Sequence, residues 1–481
     1  MAKFNSPVTN KTTNKEGHVA YKMSEKSKLV TQVLTSFFNE KKFYGDNSAE
    51  MQETIKRVIQ KDPEFVSKLA VFARREFNMR SVAHVLTAYL AHEEKGKPFV
   101  RSTVKGVSLR GDDVTEIMSF YLATFGKPIP NSLKKGINDV LIGFDEYTLA
   151  KYKGEGKAVK MRDLLCMCRP KPQTKAQEAL WKRCLEGNLA IPETWETQLS
   201  ANGNNAETWE KLIDSGKVGY MALLRNLRNI IQANPRNVYK VLAKLSDPVA
   251  VRKSRQLPFR FLAAYKTLAL SGRVASDVLD ALEAAIDASV ENLTKITGKT
   301  VIAIDVSGSM SSPISEKSEI RCCEVAMLIG LIANRICDSA IVYTFDTNIK
   351  KLTVPKRAGL LYAAVNESMC GGGTNMGLPF QQMIRDRIEA DRVIIISDNM
   401  CNRGTSYYNS SPVQALANEY RRVSGCDIWV HAIDCMGYGT QQFAGPKTNI
   451  IAGWSEKVFD FIALAEQGEG TLEKTIAGYT W

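Results

Sequence analysis

Three short pieces of this chain carry oxygen donors of a kind that suits a hard cation: Asp305-Val306-Ser307-Gly308-Ser309, Gly373-Thr374-Asn375 and Ser397-Asp398. Asp305, Ser307, Ser309, Thr374 and Asp398 together supply two carboxylates and three hydroxyls. That set fits Mg²⁺ or Mn²⁺, which prefer oxygen and keep some of their waters. Gly308 permits a turn that brings both serine hydroxyls to one point, and Gly371-Gly372-Gly373 frees the loop of Thr374. Asp398 suits a ligand acting through water. No nucleophile or general base accompanies these residues, so the chemistry expected is binding. A softer metal is not expected. Cys166-Met167-Cys168 and Cys322-Cys323 lack the C-x-x-C spacing, and the whole chain has four His. The ten cysteines fit no disulfide framework and read as buried thiols.

To converge, these loops need a sheet beneath them. From Gly298 onward the chain offers short apolar runs at Val301–Ile304, Ile341–Phe345, Val393–Ile396 and Ile428–Ala432. Runs of this kind typify parallel strands covered on both faces. Helical stretches at Glu316–Cys337, Gly359–Ser368, Met376–Ala390 and Pro412–Ser424 separate them. The alternation predicts a doubly wound, Rossmann-like α/β domain over residues 296–481, with ligands at the carboxyl ends of its strands. Asp305 and Asp398 follow strands directly, whereas His431 falls inside one.

Residues 1–20 are polar and aperiodic, which predicts a flexible arm. Residues 21–295 read as a procession of helices. Phe65, Leu69, Phe72 and Ala73 form one apolar stripe; Val82, Val85, Leu86 and Tyr89 form the next. Leu223, Leu224, Leu227, Ile230 and Ile231 make a third. Asp62-Pro63, Gly126-Lys127-Pro128, Asn234-Pro235, Asp247-Pro248 and Gly272 punctuate them. The pairing of helices suggests irregular HEAT-like repeats. The fold class expected is therefore α plus α/β.

The net charge of +13 is unevenly spread. Its whole excess precedes residue 296, and the remainder is slightly acidic. A basic helical half beside a near-neutral domain suggests nucleic acid or an acidic surface as partner. One cluster, Lys151, Lys153, Lys157, Lys160, Arg162 and Arg169, surrounds a Gly-containing loop at 152–160 and suits sequence-independent phosphate binding. A second, Arg225, Asn226, Arg228 and Asn229, lies opposite a leucine face. A third is Arg252, Lys253, Arg255 and Arg260. Arginine forks suit phosphates and base edges. No run of 18 apolar residues or apolar leader is present, so a cytoplasmic protein without a membrane partner is expected.

The conjunction of these features resembles a known family. The D-x-S-x-S spacing is similar to the metal-ion-dependent adhesion site of von Willebrand A domains. The segments Met221–Leu227, Arg252–Arg255 with Pro258-Phe259, and Asp163–Leu165 before Arg169-Pro170 resemble the module shared by telomerase, Ro and vault proteins. With Asp305–Met310, Gly372–Thr374 and Ile396–Asn399, they resemble the Ro ribonucleoprotein family over nearly the whole chain.

That resemblance implies a ring of helical repeats clasped by the A domain. It implies Y RNA on a basic outer face and the single-stranded 3′ end of misfolded or damaged RNA in the central hole. It also implies an exoribonuclease such as polynucleotide phosphorylase tethered by RNA, and a cation site with one position left for a partner's acidic residue. By similarity, residues 151–169 match the outer RNA site, Lys151 aligning best, and the two arginine sets belong nearer the inner rim. The family often carries a Gly-Trp and a His before the Lys-Pro. Here no Trp appears and Arg169 occupies the place of the His, which keeps the phosphate attraction and leaves open which RNA fold is recognised. The protein is expected to be a monomeric RNA scaffold and not an enzyme. A metal-dependent protein adaptor without an RNA role is the alternative, and a metal-dependent hydrolase is a weaker third.

Overall fold

The computed structural model describes residues 11–14, 17–35, 49–272, 275–291, 293–313, 318–354, 359–402, 412–436, 440–444, 447–452, 458–466 and 472–481. The chain divides into two compact units, one of Met1–Ser24 with Thr194–Thr471, the other of Glu25–Glu193 with Leu472–Trp481. This differs from the expected break at residues 295 and 296. No described helix is long and apolar enough to cross a membrane.

The unit that begins at Glu25 is helical. Asp62 accepts a hydrogen bond from Phe65 N at 3.0 Å, and Pro63 occupies the first turn, so the helix Pro63–Arg75 starts where its punctuation predicts. Phe65, Leu69, Phe72 and Ala73 are buried, as are Val82, Val85, Leu86 and Tyr89 on the next helix. Between helices lies a knot of charge centred on fully buried Asp113. It pairs with Arg74 at 3.2 Å, Arg80 at 2.5 Å and His84 at 3.2 Å. It also accepts from Leu109 N and Arg110 N at 2.9 and 2.8 Å. Burial opposes its charge, but these cations and donors hold the carboxyl well below its usual range. The last ten residues join this unit because they pack on its helices. Lys68 Nζ donates to Ala477 O at 2.6 Å, and Tyr479 donates to Glu76 at 2.9 Å and meets the Phe72 ring edge-on.

The other unit contains the remaining repeats and the sheet. The helix Tyr220–Ala233 buries Leu223, Leu224, Leu227 and Ile230 and stops at Asn234, whose φ is +51°. The strands of this unit are β1 (Lys11–Thr13), β2 (Val19–Lys22), β3 (Ile296–Asp305), β4 (Cys337–Phe345), β5 (Ile349–Leu352), β6 (Arg392–Ser397), β7 (Trp429–Asp434), β8 (Thr440–Gln441) and β9 (Thr448–Ala452). Six form one sheet in the order β5-β4-β3-β6-β7-β9, all parallel except β5. In register, Val301 faces Ile341 and Val393, and Ser397 faces Asp434. The helix Cys322–Ile336 lies so close that a Cβ on Gly330 would collide with the Ile304 side chain.

Several expectations change. Within the supposed flexible arm, β1 and β2 pair antiparallel, and β2 pairs with β8. Asn14 Nδ2 also donates to Cys401 O at 2.9 Å. Ladder hydrogen bonds to a distant segment supply order that local polarity does not reveal; residues 1–10, 15 and 16 lie outside the described set. The helix expected at Glu316–Cys337 begins at Cys322, because the Glu324 carboxylate accepts from Arg321 N at 2.8 Å and fixes the first turn there; residues 316 and 317 are not described. The helix expected to reach Ala390 ends at Arg385, with Arg387 left-handed at φ +52°. The thiol reading is also corrected. Cys166 is exposed, and Cys323 is disulfide-bonded to Cys370, 47 residues away. A single bridge made by tertiary folding has no spacing signature.

Within this unit the repeats grip the sheet's helices. Lys266 Nζ lies 2.7 Å from the nearly inaccessible Glu324 carboxylate. Glu283 accepts from Leu361 N and Tyr362 N at 3.2 and 2.8 Å, capping the helix Leu360–Asn366. Asp287 pairs with Arg335.

Candidate metal centre and nucleic-acid interface

Adjacent parallel strands bring Asp305, Ser397 and Asp434 to one edge of the sheet, with Asp398 following Ser397. Asp305 Oδ1 accepts from Ser307 N at 2.8 Å, and its Oδ2 accepts from Ser397 Oγ at 2.5 Å. The Ser307 and Ser309 hydroxyls are 3.1 Å apart, so the turn at Gly308 does bring them together. The glycine loop seats on this turn: Gly371 N donates to Val306 O at 2.9 Å, and Gly308 N donates to Gly372 O at 3.0 Å. Thr374 is buried and clamped by Asn402, which accepts from Thr374 N at 2.8 Å and donates its own N–H to Thr374 O at 3.1 Å. Asp398 Oδ1 accepts from Met400 N at 3.1 Å. Asp305, Ser307, Thr374 and Asp398 are buried, whereas Ser309 is exposed.

The electrostatics show what such a site lacks. Burial, and then the negative charge of Asp398, push the Asp305 carboxyl up to about 7 despite its serine donors. A divalent cation would supply the opposing charge, and the donors on hand are carboxylates and hydroxyls. Among the described residues, no three His, Cys, Asp or Glu side chains gather into a metal cluster. Asp305, Ser307, Ser309, Thr374 and Asp398 are oxygen donors of the kind that could hold Mg²⁺ or Mn²⁺.

Ser397 was singled out with Asp398, but its bond to Asp305 was not anticipated, nor was the part played by Asn402. Asn402 has no local signal, because its role arises from its hydrogen bonds to a loop 28 residues away.

The basic residues fall into both units. In the unit beginning at Glu25, the helices Glu146–Lys151 and Met161–Cys168 flank the expected loop at 152–160. Lys151, Lys153, Lys157, Arg162 and Arg169 are exposed, and Lys160 is half-buried. Lys151 Nζ stands over the Tyr147 and Tyr152 rings at 5.3 and 5.7 Å. Lys157 reaches Glu116 at 2.6 Å, Lys153 reaches Glu155 at 2.9 Å, and Arg162 comes within 3.8 Å of Asp163. Exposed pairs like these are worth little and exchange readily.

In the other unit, Arg225, Arg228 and Asn229 are exposed opposite the leucine face, as expected. Asn226 is not. Its buried side chain donates to Ala222 O at 2.8 Å, turning inward because the backbone carbonyl one turn back satisfies it. Arg252, Lys253, Arg255 and Arg260 are exposed, with Arg260 over the Phe259 ring at 4.9 Å.

A TROVE domain family model matches residues 10–188 and 181–275, more than half of the chain. The chain belongs to the Ro ribonucleoprotein family. A Ro60 vWA domain model matches residues 299–448 of this Ro-family protein. Among curated relatives, telomerase protein component 1 of Rattus norvegicus is 26% identical over 325 residues, 50% of this chain and 12% of the relative. RNA-binding protein RO60 of Deinococcus radiodurans is 27% identical over 197 residues, 38% of this chain and 37% of the relative. The Caenorhabditis elegans protein of the same name is 27% identical over 235 residues, 46% of this chain and 35% of the relative. The chain thus spans about an eighth of the telomerase relative and little more than a third of the two RO60 proteins. The crystal structure of the D. radiodurans RO (RSR) protein shares its fold, with a TM-score of 0.65 at 17% identity, covering 92% of this chain and all of that one. The expectation of helical repeats joined to a von Willebrand A domain holds.

Proposed function

We propose that this Ro-family protein is an RNA-binding scaffold for structured noncoding RNA bearing a single-stranded 3′ end. The observation that carries the reading is the exposed cation cluster at Lys151, Lys153, Lys157, Arg162 and Arg169, inside the stretch matched by the TROVE model. Mobile lysines on a loop neutralise phosphates without reading bases. Exposed Arg225, Arg228, Arg252, Lys253, Arg255 and Arg260 supply further cations from the other unit. The RNAs envisaged are a Y RNA-like partner and misfolded RNA, handled in cytoplasmic quality control by a monomer. A tethered exoribonuclease would do the degradation, because this chain acts by binding rather than by catalysis. The A domain would hold Mg²⁺ or Mn²⁺ at the Asp305 site and accept a partner's carboxylate there.

Gel-shift titrations at several salt concentrations test the RNA reading. Reversing Lys151, Lys153 and Lys157 to Glu should weaken binding strongly and flatten the salt dependence, while Asp305→Ala should leave both nearly unchanged. Equal affinity in the lysine variant, or affinity indifferent to salt, refutes it.

A further inference from the structure

Cys370 directly precedes Gly371-Gly372-Gly373, the glycine run that ends at Thr374. Its disulfide partner, Cys323, is fully buried in the first turn of the helix Cys322–Ile336. That turn is held from two directions, by Glu324 capping Arg321 N at 2.8 Å and by Lys266 on Glu324 at 2.7 Å. The bridge therefore ties the most pliant part of the cation site to one of the most firmly held turns around it. Other anchors lie outside this stretch. Arg321 Nη2 donates to Ser368 O at 3.2 Å on one side, and Asn402 clamps Thr374 on the other. Between them, Met369 is exposed and a Cβ on Gly371 would meet nothing within 4 Å. Among the described residues, two backbone hydrogen bonds, Gly371 N to Val306 O and Gly372 O from Gly308 N, hold the span besides the sulfurs. Among the described residues the other eight cysteines form no disulfide, so this bridge is a local device and not part of a framework. Cys370 is half-buried, the more exposed of the two bridged residues.

We propose that the Cys323–Cys370 disulfide is a redox latch on the cation site, and that its reduction by a dithiol weakens divalent-cation binding. The proposal rests on the cation reading above. One thiolate of the dithiol attacks Cys370 Sγ, the S–S bond breaks, and Cys323 leaves as a thiolate that takes a proton. The second thiol of the reductant then displaces Cys370, which is also protonated, and the reductant departs as a cyclic disulfide. Two electrons and two protons pass to the protein. The freed glycine loop must be ordered again for Thr374 to meet a cation, and fixing even one residue's backbone costs enough to lower affinity roughly tenfold.

The test is calorimetric titration of the full chain with Mn²⁺, before and after dithiothreitol and removal of the reductant without air. Thiol counting in denaturant accompanies each sample. The latch requires eight thiols and tighter binding before reduction, and ten thiols with affinity roughly tenfold weaker after it. A Cys323→Ser, Cys370→Ser variant should bind like the reduced protein and ignore dithiothreitol. Ten thiols in the untreated protein, or equal Mn²⁺ affinity in both forms, overturns the latch alone. Absence of Mn²⁺ binding in either form overturns the cation reading and the latch with it.

Discussion

Glu466→Gln should destabilise the A domain and remove part of its sensitivity to acid. Glu466 accepts from Arg392 at 2.6 and 2.8 Å and from the wholly buried His431 at 2.9 Å. Asn449 Nδ2 donates to His431 Nδ1 at 3.2 Å, so the ring proton sits on Nε2 and points at Glu466. Arg392 in turn donates to Thr297 O at 2.6 Å and Thr300 Oγ1 at 3.0 Å, anchoring the start of the strand whose far end bears Ser397 and Asp398. Burial alone would raise the Glu466 carboxyl, but the bonds from His431 and Arg392 outweigh it and hold the group at about 2. A depressed carboxylate contributes stability above its ordinary value near 4.5 and loses it as pH falls toward 2. That difference amounts to about 3 kcal/mol. Burial also lowers the His431 pKa, so the unfolded chain takes up that proton first and acid is again penalised. In the variant, Arg392 keeps a buried charge without its partner, at a cost of about 3–5 kcal/mol near neutral pH. Trp429 stacks on His431 with centroids 5.7 Å apart, and its fluorescence offers a local probe during acid titration. Wild type should lose A-domain stability as pH falls below 6.5, where His431 of the unfolded chain charges, and more steeply below 4.5, and the variant should start less stable with a shallower decline. An acid limb of unchanged steepness and position would refute the electrostatic account.

Other perturbations separate the remaining parts. Asp305→Ala should abolish Mn²⁺ binding in calorimetry while leaving helical content unchanged by circular dichroism. Gly330→Val should cost about 2 kcal/mol in thermal or denaturant unfolding of the A domain, because the added carbons must displace Ile304 in a filled core. Asp113→Asn should destabilise its helical unit by about 3–5 kcal/mol, since Arg74 and Arg80 keep their charge without a carboxylate beside it; a change under about 1 kcal/mol would show water or rearranged acids taking over. In RNA titrations, removing the phosphate interaction of Lys151, Lys153 or Lys157 should lower the slope of log affinity against log salt by roughly 0.7–0.9 apiece. Lys153 and Lys157 should count for less than Lys151 because they already lean on Glu155 and Glu116.

The elements that buried side chains dictate were legible in the sequence. Val301–Ile304 and Val393–Ile396 form neighbouring parallel strands because both their faces are covered, and the leucine face near residue 227 is buried because its spacing is helical. The placement of Asp305 and Asp398 was legible for the same reason, since both sit where covered strands end. What stayed hidden depends on partners distant in the chain. The β1–β2 hairpin is specified by its pairing with β8, the division of the units by a C-terminal segment lying on the first helices, and the Cys323–Cys370 bridge by the approach of a loop to a helix start. Asn226 shows the limit in one residue. Helical phase put it beside Arg225, yet its hydrogen bond to Ala222 O draws it inward.

The two proposed binding surfaces solve opposite electrostatic problems, and this is why they should be separable. At the Asp305 site negative charge is enclosed, and the rise of that carboxyl to about 7 measures how poorly the protein alone accommodates it. A cation there would relieve the cost of that enclosed charge. The cluster around Lys151 is mostly exposed, and its acids are weakly held surface partners. Binding there gains mainly from releasing counterions, which makes it sensitive to salt and tolerant of changes in any one lysine. The enclosed site should behave the other way. Salt screens it little, and substituting Asp305 alone removes one of its two carboxylates. Because the two sites belong to different compact units, a variant that disables one should leave the other's titration in place.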